Sequence, residues 1–262
     1  MSNAPRDPFF PADESILAAG GTPATTNLGR MDYLEALRRQ EQAVDRRIKG
    51  EAEDQYLVVE HPCIYTAGKR TQQEDMPDND VPVIDINRGG RITWHGEGQL
   101  VVYPIVKLAD PVDVVDFVRR LEEALIATAV DLGVTTTGRI DGRSGVWVPA
   151  DGQRPDRKLA AIGIHISRAV TSHGIALNCN NTLEYYDHIL PCGITDAGVT
   201  TLSEELGREV TIEEAAGPFL ARLTEALQGR LKVSERTFRT MPNPDKGLGK
   251  RTAPLRGITP GQ

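Results

Sequence analysis

One cysteine of the sequence stands in a setting that favours nucleophilic chemistry. Cys192 lies between Pro191 and Gly193 in the stretch HILPCGITDAGVT. The proline fixes its own φ and drives the residue before it towards an extended conformation, while the glycine leaves its amide unshielded beside the sulfur. Backbone N–H groups at such a turn can stabilise an oxyanion. A free cysteine is more often a small buried hydrophobic residue, and this interpretation fits Cys63 and Cys179.

A lysine is the second candidate group. Lys158 opens the apolar run KLAAIGIHI, whose even-numbered residues share its face in a β-strand. If that face points inward, the ammonium lies at the rim of an apolar pocket, where it could act as a base; otherwise it is a surface charge. Beside a cysteine it would lower the thiol pKa. The separation of Lys158 and Cys192 along the chain neither supports nor excludes contact.

A glycine-rich stretch, RGGRITWHGEGQL at residues 88–100, indicates that another group approaches the backbone closely. Its spacing matches neither phosphate-binding glycine motif, and a strand follows where those motifs require a helix. The alternative is a glycine-rich hairpin turn with a structural histidine. His95 and His173 each precede a glycine, which is consistent with two loops lining one cavity and also with two structural histidines. The five histidines show no i,i+4 pair and no HExxH, so we expect no metal site.

The elements that must position these groups follow from periodicity. The apolar spacing predicts a helix ending near Gly50 and a long helix ending at Gly133. Capping-box spacings at Thr201 and Thr211 predict two more helix starts, the first of these helices ending at Gly207. The sequence predicts strands at residues 55–60, 81–86, 100–106, 145–148, 158–166 and 173–178. This mixture indicates one α+β domain, a mixed β-sheet with packed helices.

Composition narrows the class of protein further. The 262 residues are 39% hydrophobic and 26% charged, with no apolar run long enough to span a membrane and no secretory signal pattern, so we expect a cytoplasmic protein. The net charge of −7 disfavours nucleic acid as a partner. Three cysteines without short spacing argue against disulfides and structural zinc. Residues 1–28 and 241–262 read as mobile extensions around a domain at 29–240.

Five stretches, taken in order, resemble the lipoyl(octanoyl) transferase family: EHPCIYTAGKR, RGGRITWHGEGQLVVYPI, GVWV, KLAAIGIHISRAVTSHGIALN and ILPCGITDAGVTTL. The resemblance implies the fold of the biotin and lipoate protein ligase catalytic core. It also implies transfer of octanoyl from octanoyl-acyl carrier protein to one lysine of a lipoyl domain, without ATP or another cofactor. The acceptors would be the lipoyl domains of 2-oxoacid dehydrogenase complexes and the glycine cleavage H protein.

The same resemblance implies roles for particular residues. Cys192 matches the acyl-thioester nucleophile, and Lys158 matches the lysine that lowers the pKa of that thiol. Three segments match substrate-binding backbone: Arg88, Gly89, Gly90, Arg91, Ile92, Thr93, Trp94 and His95; Ala161, Ile162 and Gly163; Gly174, Ile175 and Ala176. The sequence departs from the family pattern at Glu97, Trp94 and Cys63. Of these, Glu97 has the clearest consequence for the local loop shape and charge.

Two further expectations follow from this resemblance. The octanoyl chain should lie on the bare backbone of residues 88–98, with the other two segments closing the slot. Arg88, Arg91, Lys69 and Arg70 would form a basic rim for an acidic carrier protein.

Three alternatives remain open. The first is an ATP-dependent lipoate ligase on the same fold, which needs no cysteine nucleophile. The second is octanoyl transfer between two lipoyl-bearing proteins. The third is a non-catalytic module that binds lipoyl domains or acyl carriers.

Overall fold

Apolar runs separated by glycine and polar turns fold the described residues into two β-sheets and four α-helices. The computed structural model describes residues 7–189 and 196–240. The helices are α1 (Tyr33–Lys49), α2 (Val114–Leu132), α3 (Leu202–Leu206) and α4 (Ile212–Leu227). The strands are β1 (Ala24–Arg30), β2 (Gln55–Glu60), β3 (Ile64–Ala67), β4 (Val83–Asp85), β5 (Thr93–His95), β6 (Gln99–Ile105), β7 (Gly138–Asp141), β8 (Arg143–Val148), β9 (Arg157–Ser167), β10 (Val170–Asn178), β11 (Gly198–Val199) and β12 (Thr237–Thr240).

The large sheet has nine strands and mixed directions. Its order is β1-β2-β6-β10-β9-β8-β7-β12, with β11 paired to β9 outside this path. The pairs β1–β2, β11–β9 and β12–β7 are parallel, and the others are antiparallel. A small sheet, ordered β4-β3-β5, lies apart from it. The predicted α+β class with a mixed sheet is therefore confirmed.

The two faces of the large sheet are covered differently. Helices α2 and α4 pack on one face over a large apolar core that contains Phe117, Leu121 and Phe219, all fully buried. Helix α1 packs on the other face over a smaller core that contains Ala36 and Tyr103. Because α1 covers only part of that second face, space remains beside it.

Most helix boundaries follow from local chemistry. Gly50, Gly133 and Gly207 end their helices in the left-handed conformation, as the sequence predicts. At the start of α3 the Thr201 side chain accepts a hydrogen bond from the Glu204 amide, and at the start of α4 the Thr211 side chain accepts one from the Glu214 amide. Both predicted caps are therefore confirmed.

The N-terminal prediction is wrong for the described part of the segment, because residues between 16 and 28 pack in the domain. Ile16 and Leu17 are buried in the main core, and the Ile16 amide donates to the Leu227 carbonyl (3.0 Å). Strand β1 pairs with β2 over residues 24–30. The edge strand is mostly exposed and polar, so it carries no apolar alternation that composition could reveal. The predicted C-terminal extension, 241–262, lies outside the described residues.

Candidate active site

A cavity of about 600 Å³ lies on the α1 side of the large sheet. It is bounded by β9 and β10, the segment leading into β5, and the start of α1. Its lining residues are Tyr33, Lys69, Arg70, Gln72, Arg88, Gly90, Arg91, Thr93, His95, Val101, Tyr103, Gly142, Arg143, Ser144, Lys158, Ala161, Ile162, Gly163, His173, Gly174, Ile175 and Ala176. This volume is typical of small-molecule sites.

The sheet wall of the cavity is built from small residues in register. Ala161 pairs with Ala176, and Gly163 pairs with Gly174, across the antiparallel β9–β10 ladder. A Cβ on Gly163 would lie 2.7 Å from Cδ of Arg88, so only glycine fits between the strand and that side chain. All six predicted residues of these two strands line the cavity.

Arg88 lies in the cavity wall opposite the sheet and joins the segments of that wall by hydrogen bonds, instead of forming part of the expected basic rim. Its guanidinium donates to the carbonyl oxygens of Thr66 and Arg91, both at 2.9 Å, and to the Thr66 hydroxyl at 3.0 Å. The residue is only 7% exposed. Arg88 is therefore not part of a basic rim, because its charge is used to tie together several backbone carbonyl groups.

The predicted loop residues divide between two environments. Arg88, Gly90, Arg91, Thr93 and His95 line the cavity. The remaining three, Gly89, Ile92 and Trp94, do not line it.

Ile92 and Trp94 are fully buried in the core of the small sheet, where Trp94 stacks on Tyr185 (5.2 Å between ring centroids). The Gly89 amide donates to the Ile164 carbonyl (3.0 Å) and ties the loop to β9. Successive side chains of a β-strand point to opposite faces, so Thr93 and His95 of β5 face the cavity while Trp94 faces the core of the small sheet. Assigning the whole segment to the substrate site does not distinguish these two faces.

Two glycines that we expect to contact an acyl chain are instead required by packing within the protein. A Cβ on Gly96 would collide with the Trp94 ring, and Gly98 has a φ of 82° with Asn180 and Asn181 packed against it. The bare backbone at 96–98 therefore permits internal packing. Glu97 is exposed and forms an ion pair with Arg30, so its charge is directed away from the cavity lining.

The cavity has a polar, aromatic end that includes both histidines predicted to share it. His95 contacts Gln99 through Nδ1 (2.7 Å) and Thr66 through Nε2 (3.3 Å). Burial lowers the pKa of His95 to about 3 and that of His173 to about 4. Both rings are therefore neutral near pH 7 and can line a cavity without adding charge.

Tyr33 and Tyr103 complete this end, and no local sequence pattern marks either residue as part of a site. Tyr33 stacks on His95 with 6.0 Å between ring centroids, and the Tyr103 hydroxyl contacts Nε2 of His61 at 2.7 Å. Burial raises the pKa of Tyr33 to about 12 and that of Tyr103 well above its ordinary value. Neither tyrosine ionises near neutral pH, so both contribute ring surface and hydroxyl dipoles.

Lys158 lies in the cavity wall and is only 8% exposed. Its Nζ is 4.7 Å from the centroid of the Trp147 ring, a cation–π distance. Gly145 of the neighbouring strand is required by the Ala160 carbonyl, which a Cβ there would approach to 2.5 Å. Lys158 also lines a neighbouring cavity of about 380 Å³ together with Val199. The even-numbered β9 residues after it belong to or pack against the α2 and α4 core, and of these Ile162 also lines the cavity.

The cysteines fall into three situations. Cys179 is fully buried, and burial raises its thiol pKa to about 12, so it remains protonated. Cys63 accepts a hydrogen bond from the Trp94 indole (3.2 Å) at the edge of the small-sheet core. Cys192 lies outside the described residues.

The described chain resumes at Asp196, beside the cavity. Asp196 forms an ion pair with Arg143 (2.6 Å), and Arg143 lines the cavity. Val199 then pairs with Lys158 in the β11–β9 ladder, and the Thr200 amide donates to the Lys158 carbonyl (3.0 Å). Arg143 carried no sequence signal, because its role depends on this long-range pairing.

Among the described helices, none combines the length and the apolar character that a membrane-spanning helix needs.

Solved structures with this architecture define the class of fold. A crystal structure of lipoate-protein ligase A bound with ATP superposes with a TM-score of 0.59 at 16% identity, covering 87% of this chain and 92% of that one. Biotin protein ligase from Aquifex aeolicus gives a TM-score of 0.52 at 16% identity, covering 79% and 72%. The fold is thus the α+β catalytic core seen in protein ligases for lipoate and biotin.

Sequence comparisons then define the family. The model described as "Lipoyl protein ligase A/B catalytic domain" matches residues 32–224. An octanoyltransferase of Corynebacterium glutamicum (strain R) is 60% identical over 248 residues, covering 95% of this chain and 99% of the relative. The chain belongs to the lipoyl(octanoyl) transferase family, within the lipoyl protein ligase A/B catalytic domains, and is a transferase enzyme.

Proposed function

We propose that the protein transfers octanoyl from octanoyl-acyl carrier protein to a lysine of lipoyl domains through a Cys192 thioester. The acceptors would be the lipoyl domains of 2-oxoacid dehydrogenase complexes and the glycine cleavage H protein. The observation that carries this proposal is a buried lysine, Lys158, in the wall of a cavity whose other walls are small residues and backbone.

Chain connectivity supports pairing Cys192 with Lys158. Asp196 is four residues after Cys192, and four residues of extended chain span at most roughly 14 Å. Asp196 is held by Arg143 in the cavity lining, and Val199 pairs with Lys158. Cys192, joined to Asp196 by a segment of that length, can therefore reach the cavity and the Lys158 ammonium.

The proposed first half-reaction forms an acyl-enzyme. The Lys158 ammonium favours the Cys192 thiolate, which attacks the carbonyl carbon of the octanoyl thioester. The tetrahedral oxyanion is stabilised by backbone N–H groups, and its collapse breaks the bond to the carrier sulfur. The leaving thiolate takes a proton from Lys158, which becomes a neutral amine.

The proposed second half-reaction forms the amide. The acceptor lysine, as a free amine, attacks the thioester on Cys192, and neutral Lys158 takes the proton that the nitrogen loses. The Cys192 thiolate leaves, and the starting ion pair is restored. Exchange between thioesters is nearly isoenergetic and amide formation is downhill, so no nucleotide is needed.

The cavity suits a short saturated chain. On the sheet side the cavity is lined by Ala161, Gly163 and Ala176, whose short side chains leave room for an acyl chain to lie on an apolar surface. Burying seven methylene or methyl groups at about 0.8 kcal/mol each provides roughly 5 kcal/mol before ordering costs. That free energy is enough to select for chain length.

Intact-protein mass spectrometry after mixing with octanoyl-acyl carrier protein tests the proposal. We expect an adduct of one octanoyl group that is absent from Cys192→Ala and present in Cys63→Ala and Cys179→Ala. The adduct should transfer to a lipoyl domain in nucleotide-free buffer. An adduct that persists in Cys192→Ala, or transfer that requires ATP, would contradict the proposal and favour the ligase alternative.

A further inference from the structure

Two basic side chains at the mouth of the cavity have no evident structural task. Lys69 and Arg70 follow β3, line the cavity and are exposed. Their backbone is fixed, because the Lys69 amide donates to the Arg88 carbonyl and the Arg70 amide to the Gly90 carbonyl, both at 3.1 Å. The backbone position is therefore defined while the two charged ends face solvent and the cavity.

Three of the other cations around this cavity are engaged by neighbours. Arg88 donates to backbone carbonyls, Arg91 pairs with the buried Asp75 (3.0 Å), and Arg143 pairs with Asp196 (2.6 Å). Across residues 7–189 and 196–240, Lys69 and Arg70 form no ion pair. The mouth therefore carries two positive charges that an incoming anion can neutralise.

Strand β9 gives the separation along the sheet between Lys158 and the point where the Arg88 side chain meets the strand. Gly163 of β9 lies against the Arg88 side chain, and the Arg88 carbonyl holds the Lys69 amide. Lys158 is five residues earlier on the same strand, which corresponds to roughly 16 Å. In a phosphopantetheine arm, about thirteen bonds join the phosphorus to the thioester sulfur, and they span roughly 16 Å when extended.

We propose that Lys69 and Arg70 bind the phosphate of the phosphopantetheine arm that carries the octanoyl thioester. The inference rests on the proposed function, because it requires a donor whose thioester reaches Lys158. An arginine fork and a lysine ammonium together suit the non-bridging oxygens of a phosphate ester. The arm then lies along the mouth while the acyl chain enters the cavity between β9 and the Arg88 wall.

The test compares two small donors that differ only in the phosphate, octanoyl-pantetheine and octanoyl-4′-phosphopantetheine, and adds octanoyl-acyl carrier protein as the full donor. With the wild-type enzyme, we expect a KM for the phosphorylated small donor at least tenfold below that for octanoyl-pantetheine. The double variant Lys69→Gln/Arg70→Gln should remove that difference, with kcat within about twofold of wild type. The KM for the lipoyl-domain acceptor should stay unchanged.

A matched variant controls for lost charge. Arg46→Gln/Lys49→Gln removes two exposed positive charges from the far end of α1 and should keep the full donor difference. Equal KM values for the two small donors in the wild type would overturn the inference. So would a raised KM confined to octanoyl-acyl carrier protein in the double variant, since that result assigns the pair to the carrier's carboxylates. If no donor octanoylates the wild type, the proposed function itself fails.

Discussion

The two faces of the large sheet do different work. The face under α2 and α4 buries fully apolar side chains such as Phe219 and Leu121. The face beside α1 leaves a cavity walled by Ala161, Gly163 and backbone, with Lys158 in its lining. Adjacent residues of β9 thus serve opposite purposes, one filling a core and the next bounding a binding site. We expect substitutions on the two faces to separate stability from activity.

The largest effect should come from the reactive lysine. Lys158→Ala should slow octanoyl transfer by about 10²–10⁴-fold, the usual contribution of a general acid–base group. Single-turnover acylation measured by quenched-flow mass spectrometry checks this, with circular dichroism to verify folding. Acylation within threefold of wild type would remove Lys158 from the mechanism.

Lys158→Arg offers a finer control. Its guanidinium keeps a positive charge beside the thiol but does not lose a proton at accessible pH. We expect acylation to continue more slowly, because the carrier thiolate must then take its proton from water, and transfer to the lipoyl domain to fall much further, so that acyl-enzyme accumulates. Equal slowing of both half-reactions would show that charge alone does not account for the first step.

On the core face, the largest effect should be on stability. Phe219→Ala should lower the free energy of unfolding by about 3–5 kcal/mol, because it leaves a cavity in the α2–α4 core. Urea unfolding followed by fluorescence measures this change. The transfer rate per folded molecule should remain within twofold of wild type, and a hundredfold loss at full folding would break the distinction between the faces.

Two neighbouring alanines sharpen the comparison. Ala160 is fully buried in the core, whereas Ala161 lines the cavity. Ala160→Val should cost about 1–3 kcal/mol of stability through overpacking. Ala161→Val should instead leave stability nearly unchanged and shift the donor preference towards chains shorter than eight carbons. Urea unfolding and a donor series from four to ten carbons check both, and identical behaviour of the two variants would refute the assignment of faces.

A smaller effect concerns pH. His173 ionises in the folded protein with a pKa of about 4, against an ordinary value of 6.5, so the unfolded chain binds more protons between these values. The free energy of unfolding should therefore fall as pH drops from about 6.5 to 4, by up to about 1.4 kcal/mol per pH unit for this residue.

The variant His173→Asn tests that contribution. Asparagine tolerates the left-handed backbone found here, where φ is 56°. Urea unfolding between pH 4 and 7 should show a shallower slope in this variant than in His188→Asn, a control at the surface. An equal slope in both variants would contradict the role assigned to His173.

Local signals predicted the elements and much of the site, because they act within a few residues. Caps at Thr201 and Thr211 and the long runs of β9 and β10 follow from nearest-neighbour chemistry. The six predicted β9 and β10 residues all line the cavity. Their positions could be taken directly from the resemblance.

The remaining features depend on contacts across the fold. Strand β1 and the buried Ile16 are positioned by distant partners, and Tyr33 and Tyr103 meet only when α1 packs on β6. Arg88 was expected at the surface because a charged residue usually is, but backbone carbonyls satisfy it inside. Sequence spacing alone does not encode such pairings.

A crystal structure of the octanoylated protein tests the central claim most directly. It should show the thioester on Cys192 with its carbonyl close to Nζ of Lys158, and the acyl chain lying on Ala161, Gly163 and Ala176. An acyl chain located elsewhere, or an octanoyl group attached to another residue with Lys158 remote from it, would contradict the account.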